Sequence, residues 1–338
     1  MSICNLGERN TKLEQNRVIG LESYNKSKLT DLELESIVKR HMGQSIVSSA
    51  EMSDGWANTA YSIELGDGRQ VVLKVAPSKD KPLMRCEQNN MRTEVEALRL
   101  VGQSGDVPVP LVYAYDPSGE LVPYEYFIME HIQGTPFNKV RPSLSPGEIA
   151  AIEEEIGVYS RRINTSKGTS FGLLGDSDGK RQSWTDFFQE LIEGVLSDGE
   201  EIGVVFPVPY AEMRQQISRQ MDTLDEVKEP CLVHWDLWDG NVFVHEGKVS
   251  GIIDFERAFW GDPLIEFYFG RFSRTPAFEQ GYGRTISTDS ERRRRVLYNF
   301  YLDLILVIES YFRQYEDQNH INWTLENFET GYNELKNL

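Results

Sequence analysis

The sequence predicts an α+β protein built from two lobes. Its 338 residues are more than one compact domain usually holds and fewer than three domains need. Short β-type segments dominate residues 46–132, whereas helical periodicity dominates the chain after Gly134. We therefore expect a mobile tail over residues 1–25, an N-terminal lobe over 26–132 and a C-terminal lobe over 133–338.

The N-terminal lobe begins with a helix and continues with strands. Thr30 and Glu33 form a capping-box pattern, and the apolar periodicity that follows ends at Gly43. Two β-type runs meet at Gly66-Asp67-Gly68, which is typical of a hairpin. The predicted elements after the first helix are strands over 60–65 and 70–76, a helix over 89–101, and strands over 112–115 and 124–132.

The C-terminal lobe is predicted to be mainly helical. Ser145-Pro146-Gly147-Glu148 combines a capping residue, a proline at the first helical position and a capping glutamate. The stretch over 296–308 is apolar on nearly all sides, which predicts a buried central helix. Further helices are expected over 183–197, 209–226, 290–315 and 322–337.

Composition and charge exclude several functions. Forty per cent of the residues are hydrophobic, which suffices for a core. The net charge is −18, from 35 basic and 53 acidic residues. Because such a field repels phosphate backbones and anionic lipids, we expect neither a nucleic-acid partner nor a membrane partner.

The cysteines and the hydropathy indicate a cytoplasmic protein. Cys4, Cys86 and Cys231 are far apart and odd in number, which favours free thiols over a disulfide framework or a zinc site. The first residues lack the apolar core of a signal peptide, and no apolar run reaches membrane-spanning length.

The residues that indicate chemistry lie between 231 and 268. His234 follows a short apolar strand, and Asp236 and Asn241 stand five positions apart. A predicted hairpin over 242–253 then leads into Asp254. Because strand ends hold side chains with little mobility, Asp236, Asn241 and Asp254 can converge on one point. Two carboxylates and an amide oxygen suit Mg²⁺, and one aspartate kept off the metal could accept a proton from a hydroxyl.

These residues resemble a known family. His234-x-Asp236-x-x-x-x-Asn241 has the spacing of the kinase catalytic loop, and Asp254-Phe255 stands where the metal-binding aspartate of such enzymes stands. The segments HWDLWDGNVFV and GIIDFERAFWGDP resemble the aminoglycoside phosphotransferase family, which also includes fructosamine, choline and homoserine kinase-like members. This resemblance implies a bilobal protein-kinase-like fold, with an antiparallel sheet and a helix in the N-terminal lobe.

The first lobe agrees with this resemblance, which covers roughly residues 50–335. Lys74 ends the run VVLK, which is similar to the strand that bears the ATP lysine. Glu94 resembles its helical partner, with Glu96 as the alternative. The other matching segments are the nucleotide loop with Gly55, Asn58 and Thr59, the turn VPVP at 107–110 and the hinge YFIMEHIQG at 126–134.

The resemblance implies a role for each matched residue. Lys74 would hold the α- and β-phosphates of ATP and be positioned by Glu94. Asp236 would be the catalytic base, while Asn241 and Asp254 would hold Mg²⁺. The remaining implied site residues are His234 and Asp262, which brace the loop, Gly55, Asn58 and Thr59, which bind the nucleotide, and Met129, Glu130 and Ile132, which border the adenine pocket. The choice of ATP over GTP stays open.

Departures from the kinase pattern limit the class of acceptor that the sequence predicts. Trp235 replaces the arginine of the kinase catalytic loop, so regulation by phosphorylation is not expected. Glu256 replaces the glycine after Asp254-Phe255. Asp262 follows Asp254 by eight positions and leaves no room for a peptide-docking segment. We therefore expect a small-molecule acceptor and no peptide substrate.

Charge favours a cationic acceptor. Residues 1–132 carry 14 basic and 19 acidic residues, whereas residues 133–338 carry 21 and 34. The sequence thus predicts an ATP- and Mg²⁺-dependent O-phosphotransferase that acts on an antibiotic such as an aminoglycoside, with Glu266, Asp303 and Glu309 as candidate acceptor contacts. The alternatives are a metabolic small-molecule kinase of the fructosamine, choline or amino-sugar type, and a non-catalytic nucleotide-binding pseudokinase.

Overall fold

The computed structural model describes residues 26–52, 58–78, 80–174 and 181–338. The expected tail over 1–25 and the predicted nucleotide-loop residue Gly55 lie outside the described residues. The elements of the N-terminal part are α1 (Asp31–Met42), β1 (Ile46–Met52), β2 (Thr59–Leu65), β3 (Gln70–Val75), α2 (Asn90–Gly102), β4 (Val112–Asp116) and β5 (Tyr126–Glu130).

These strands form one antiparallel sheet with the order β1-β2-β3-β5-β4. Its two faces follow from the alternation of side chains along β3. Val71, Leu73 and Val75 pack with the buried side chains of α1, whereas Val72 belongs to the core that includes α2. Lys74 shares the face of Val72, so the period-two pattern alone directs this lysine toward α2.

The C-terminal part is mainly helical. Its elements are β6 (Thr135–Pro136), α3 (Phe137–Val140), α4 (Pro146–Thr165), β7 (Gly172–Leu173), α5 (Trp184–Glu201), α6 (Tyr210–Ser218), β8 (Cys231–Val233), β9 (Val242–His245), β10 (Lys248–Ile252), β11 (Phe259–Gly261), α7 (Pro276–Tyr282), α8 (Asp289–Phe312) and α9 (Gln318–Lys336). Two small sheets, β10-β9-β6 and β7-β11-β8, carry the segments around the predicted catalytic loop. The predicted α+β fold class is confirmed.

Local sequence signals correctly predicted where most of the helices begin. Ser145 and Glu148 form the expected capping box at the start of α4, and Thr30 and Glu33 do so at the start of α1. The helix predicted over 209–226 is wrong in its second half, because α6 ends at Ser218 and a 3₁₀ turn covers Met221–Glu226. The Thr223 hydroxyl donates a hydrogen bond to the Gln220 carbonyl there, an alternative to helical bonding.

Helix α8 is the central helix of the C-terminal lobe. Phe300, Leu304 and Ile308 are fully buried. The four arginines near its start all have polar partners: Arg292 pairs with Asp289, Arg293 with Asp222, Arg294 with Glu226 and Asp262, and Arg295 with the Leu264 carbonyl and Asn299. None of the described helices has the length and apolar composition that a membrane crossing needs.

Candidate active site

A cleft of about 480 Å³ lies between the sheet and the helical part. Its N-terminal wall contains Ala60, Val72 and Met129, and apolar side chains of Phe243 and Ile253 face them from the other part. The segment of Glu130, His131 and Ile132 that follows β5 also lines the cleft. The predicted adenine-pocket residues Met129, Glu130 and Ile132 are thus brought together around an apolar slot.

Lys74 connects the two sides of the cleft. Its Nζ donates hydrogen bonds to Glu94 Oε1 at 2.6 Å and to Asp254 Oδ1 at 2.9 Å. Burial disfavours the charged ammonium, but Asp254 and Glu94 outweigh burial and raise the pKa of Lys74. Burial opposes ionisation of Asp254 too, yet Lys74 holds the pKa of that carboxyl below its usual range. Glu96 pairs with Arg92 instead, so Glu94 is the glutamate that contacts Lys74.

Glu256 adds a contact that sequence reasoning missed. Asn58, at the end of the nucleotide loop, donates from Nδ2 to Glu256 Oε2 at 2.8 Å across 198 residues of sequence. Burial and the neighbouring Asp254 charge raise the pKa of Glu256 to about 8. Glu94, Asp254 and Glu256 each place one oxygen within 4.8 Å of the others. Three carboxyl groups therefore lie close together beside the Lys74 ammonium.

The loop after β8 is held by a buried glutamate. Glu266, 1% exposed, accepts hydrogen bonds from the backbone N–H of His234 at 2.9 Å and of Trp235 at 3.0 Å. Asn164 Nδ2 donates to the same carboxylate at 3.0 Å. Trp235 adopts a left-handed backbone conformation with φ 64°, which such contacts must maintain. Glu266 therefore fixes the turn that precedes Asp236.

His234 is fully buried and links this loop to the strand that leads into Asp254. Its Nε2 donates to the Ile253 carbonyl at 2.9 Å, directly before Asp254. Burial lowers the pKa of His234, which favours the neutral ring. His234 has no exposed surface and does not line the described cleft.

Asp236, Asn241 and Asp254 all line the cleft. Asn241 Nδ2 donates to the Asp236 carbonyl at 2.9 Å, and the Asn241 carbonyl accepts from Ile253 N–H at 3.0 Å. These bonds leave the Asn241 side-chain oxygen available as a ligand. An amide oxygen and an ionised carboxylate are hard donors, so Asn241 and Asp254 fit Mg²⁺.

Beyond Asp236, the cleft is bordered by aromatic, aliphatic and charged side chains. Trp235 and Trp238 flank Asp236, and the rest of this border consists of Gly240, Arg257, Leu302, Leu306, Glu309, Arg313 and His320. Trp235 is 7% exposed and packs against Tyr301. Arg257, in the turn Phe255–Arg257, was not anticipated from the sequence, although it stands three positions after Asp254.

Several predicted site residues lie elsewhere. Thr59 is 1% exposed within β2 and does not line the described cleft. Glu266 and Asp303, expected as acceptor contacts, are wrong in that role, because Glu266 holds the loop and the fully buried Asp303 pairs with Arg271. Asp262 caps the turn Pro263–Ile265 and accepts from Tyr298. Of the expected acceptor contacts, Glu309 does line the cleft.

Residues 50–296 match the model of the phosphotransferase enzyme family. The chain belongs to this family. The predicted family and kinase-like fold are thereby confirmed.

Two curated proteins are similar to much of the chain. A protein of Vibrio vulnificus named "probable ketoamine kinase" is 26% identical over 263 residues, covering 76% of this chain and 84% of that protein. Human acyl-CoA dehydrogenase family member 11 is 26% identical over 274 residues, covering 73% of this chain. The matched region is only 32% of that human protein, so the chain corresponds to about a third of it.

The fold agrees with that of the aminoglycoside phosphotransferase APH(4)-Ia. That crystal structure superposes with a TM-score of 0.64 at 20% identity, covering 90% of this chain and 99% of the other. A thermostable mutant of the same enzyme, in a ternary complex with AMP-PNP and hygromycin B, also gives a TM-score of 0.64, at 19% identity. At this identity the likeness establishes the fold.

Proposed function

We propose that the protein is an ATP- and Mg²⁺-dependent O-phosphotransferase that phosphorylates a hydroxyl group of a small molecule. The observation that carries this proposal is the convergence of Lys74, Asp236, Asn241 and Asp254 on one cleft. These are the groups that phosphoryl transfer needs for position and countercharge. The nucleotide analogue and ADP named in complexes of APH(4)-Ia support ATP as donor.

Each residue of the site has its own role in the proposed reaction. Lys74, kept charged by Glu94 and Asp254, binds the α- and β-phosphates. Asp236 accepts a hydrogen bond from the acceptor hydroxyl and directs its oxygen at the γ-phosphorus. The new P–O bond forms as the bond to the β-phosphate breaks, and ADP leaves with that electron pair. The hydroxyl proton passes to Asp236 and then to solvent. When bound, Mg²⁺ would neutralise phosphate charge beside Asn241 and Asp254.

The acceptor side of the cleft favours a metabolic small molecule over an aminoglycoside. A polycationic antibiotic is usually held by several unpaired carboxylates. Apart from Asp236, the described carboxylates on this side are Glu256, whose partner is Asn58, and Glu309, whose partners are Arg257 and Arg313. The acidic excess of this lobe therefore lies mostly outside the cleft. We place the enzyme in the cytoplasm, where ATP is available.

The decisive experiment measures ADP release from ATP over a panel of acceptors with the wild type and Asp236→Asn. The panel contains aminoglycosides, amino sugars, fructosamines, choline and hydroxy acids. Loss of the base should reduce kcat about 10²- to 10⁴-fold while ATP binding persists. Asp289→Asn, a change at an exposed aspartate, is the matched control.

Two outcomes contradict the proposal. Full turnover by Asp236→Asn on a true acceptor shows that another group directs the hydroxyl. Tight ATP binding with no ADP release for any acceptor identifies the chain as a nucleotide-binding module, the pseudokinase alternative.

A further inference from the structure

Helix α8 presents two leucines to the acceptor side of the cleft. Over residues 301–310 this helix is buried except at Leu302, Leu306 and Glu309. These positions follow at four- and three-residue spacing, so they share one helix face, and all three line the cleft. The side chains that keep solvent access in this stretch of α8 are therefore the ones that border the cleft.

Trp238 extends this apolar surface to the predicted base. Its side chain is partly exposed, lines the cleft and packs in the same hydrophobic cluster as Leu302. Its backbone N–H donates a hydrogen bond to the Asp236 carbonyl at 3.0 Å. The indole lies against Gly240, where an added Cβ would come within 2.1 Å of the ring. The indole is thus held against the catalytic loop, and we call Trp238, Leu302 and Leu306 the apolar patch.

The charged groups at the far end of this helix face are paired with one another. Glu309 pairs with Arg257 Nη2 at 2.8 Å and with Arg313 Nη1 at 2.8 Å. The buried Glu87 contacts Arg313 Nη2 at 2.6 Å and Arg257 Nη2 at 3.7 Å. Because these two arginines and two glutamates offset each other's charge, the apolar side chains determine what this border offers to an acceptor.

An apolar patch inside a cleft favours a ligand that covers it. Contact of water with leucine and indole surface is unfavourable, and hydrocarbon that displaces this water removes the cost. Single exposed leucines are ordinary on protein surfaces. Leu302 and Leu306, however, are neighbours on one helix face and lie beside Trp238, in the cleft that holds Asp236. The patch therefore matches an uncharged hydrocarbon surface on the acceptor.

Resting on the phosphotransferase function proposed above, we infer that the acceptor is an alcohol with an uncharged hydrocarbon portion, which covers the apolar patch while its hydroxyl meets Asp236. The hydroxyl oxygen forms the bond to the γ-phosphorus as the bond to the β-phosphate oxygen breaks, and ADP leaves with that electron pair. The hydroxyl proton passes through Asp236 to solvent. The hydrocarbon portion is unchanged in the phosphate ester product, and its role is to select the acceptor.

The first test uses the wild-type protein and graded acceptors, with ADP release at saturating ATP as the readout. Linear alcohols of increasing length are compared with amino alcohols and hydroxy acids of the same length. Each methylene that reaches the patch should raise kcat/KM by up to about fourfold, until the patch is covered. A terminal ammonium or carboxylate should lower kcat/KM by roughly 10-fold, because the patch offers neither charge a partner.

Two results of this test overturn the inference and leave the phosphotransferase function standing. The first is a kcat/KM that stays constant or falls with chain length, or that is higher for either charged series. The second concerns the adenine slot, which is apolar as well, so the KM for ATP is measured in parallel. A KM for ATP that rises with the chain length of the alcohol shows that the hydrocarbon binds in the adenine slot.

The second test changes the patch. Leu306→Ala should lower kcat/KM for the longest alcohol by roughly 3- to 20-fold and leave the shortest within about twofold. Leu306→Asp adds a carboxylate and should make the amino alcohol the better acceptor. Leu306 is partly exposed, which favours a retained fold in both variants, and melting curves check it. Leu32→Ala, at a leucine of α1 that is 75% exposed, is the matched control.

The outcomes separate the two proposals. If Leu306 only supports the shape of the site, Leu306→Ala lowers kcat by the same factor for every acceptor, which overturns the inference. Absence of phosphate transfer to any acceptor, while ATP still binds, overturns the proposed function itself, and the inference about the hydrocarbon portion falls with it.

Discussion

Replacement of Glu266 by glutamine tests whether this buried carboxylate positions the catalytic loop. The glutamine oxygen can still accept from His234 N–H and Asn164, but its NH₂ group then faces the Trp235 N–H at about the present 3.0 Å. The charge-assisted hydrogen bond from Trp235 N–H is lost, which costs about 1.5–3 kcal/mol of stability. The Trp235 N–H also becomes a buried donor without a partner, which costs about 1–3 kcal/mol.

Relief of carboxylate burial offsets part of this cost, since burial already raises the pKa of Glu266. We expect a net loss of roughly 2–4 kcal/mol and a melting temperature lower by roughly 3–6 °C. A shift of the loop should also misplace Asp236 and reduce kcat by about 10- to 100-fold. Differential scanning fluorimetry and ADP-release kinetics measure the two effects on the same preparations.

Glu329→Gln makes the same chemical change at an exposed site and should alter neither quantity. An unchanged melting temperature together with a raised KM for the acceptor would show that Glu266 contacts substrate and would refute the positioning role. Unchanged stability and unchanged kinetics would refute both roles.

Two further predictions concern stability. Burial opposes ionisation of Glu291, but the backbone N–H groups of Ser287 and Thr288 and the Arg284 side chain lower its pKa to about 2. The ionised Glu291 carboxylate should contribute about 3 kcal/mol to the free energy of unfolding at pH 7 and roughly half of that at pH 3. The difference in melting temperature between the wild type and Glu291→Gln should therefore become smaller as the pH falls. A difference that stays constant with pH would contradict this prediction. Gly281→Ala places a Cβ 1.8 Å from the Glu154 carbonyl oxygen in α4 and should cost at least about 1–3 kcal/mol in thermal or denaturant unfolding. Gly147→Ala meets nothing within 4 Å and should be neutral, and equal effects of the two alanine substitutions would contradict the packing argument.

Much of the fold is predictable because its signals are local. The capping boxes at the starts of α1 and α4 need only four consecutive residues each. The turn at 66–68 joins β2 and β3, and the alternation along β3 directs Lys74 toward α2. Helix α6 ended early because its continuation depends on packing and on side-chain bonds that no local window contains.

The chemistry-bearing residues of the candidate site were also readable, because their spacing is itself the signal. Asp236, Asn241 and Asp254 occur within 19 residues, on a loop and a hairpin whose turns the sequence predicts. Thr59 lies outside the lining of the described cleft, and its predicted part in nucleotide binding stays a prediction, because a motif match does not state which side chain faces the cleft. The acceptor contacts Glu266 and Asp303 were misjudged because a carboxylate in an apolar segment can be a ligand or a brace.

By itself, the amino-acid sequence determined the α+β fold class and the family, and it located the residues of the kinase-like motif. Only the tertiary structure decided which charges remain available in the cleft. Glu256 accepts a hydrogen bond from Asn58, which is 198 residues away in the sequence, and Arg257 donates one to Glu309, which is 52 residues away. A buried charge is tolerated only when its partners are in place, and those partners come from distant segments. The net charge of −18 therefore describes the whole molecule, whereas the charges that line the cleft are set by pairs such as Arg257 with Glu309.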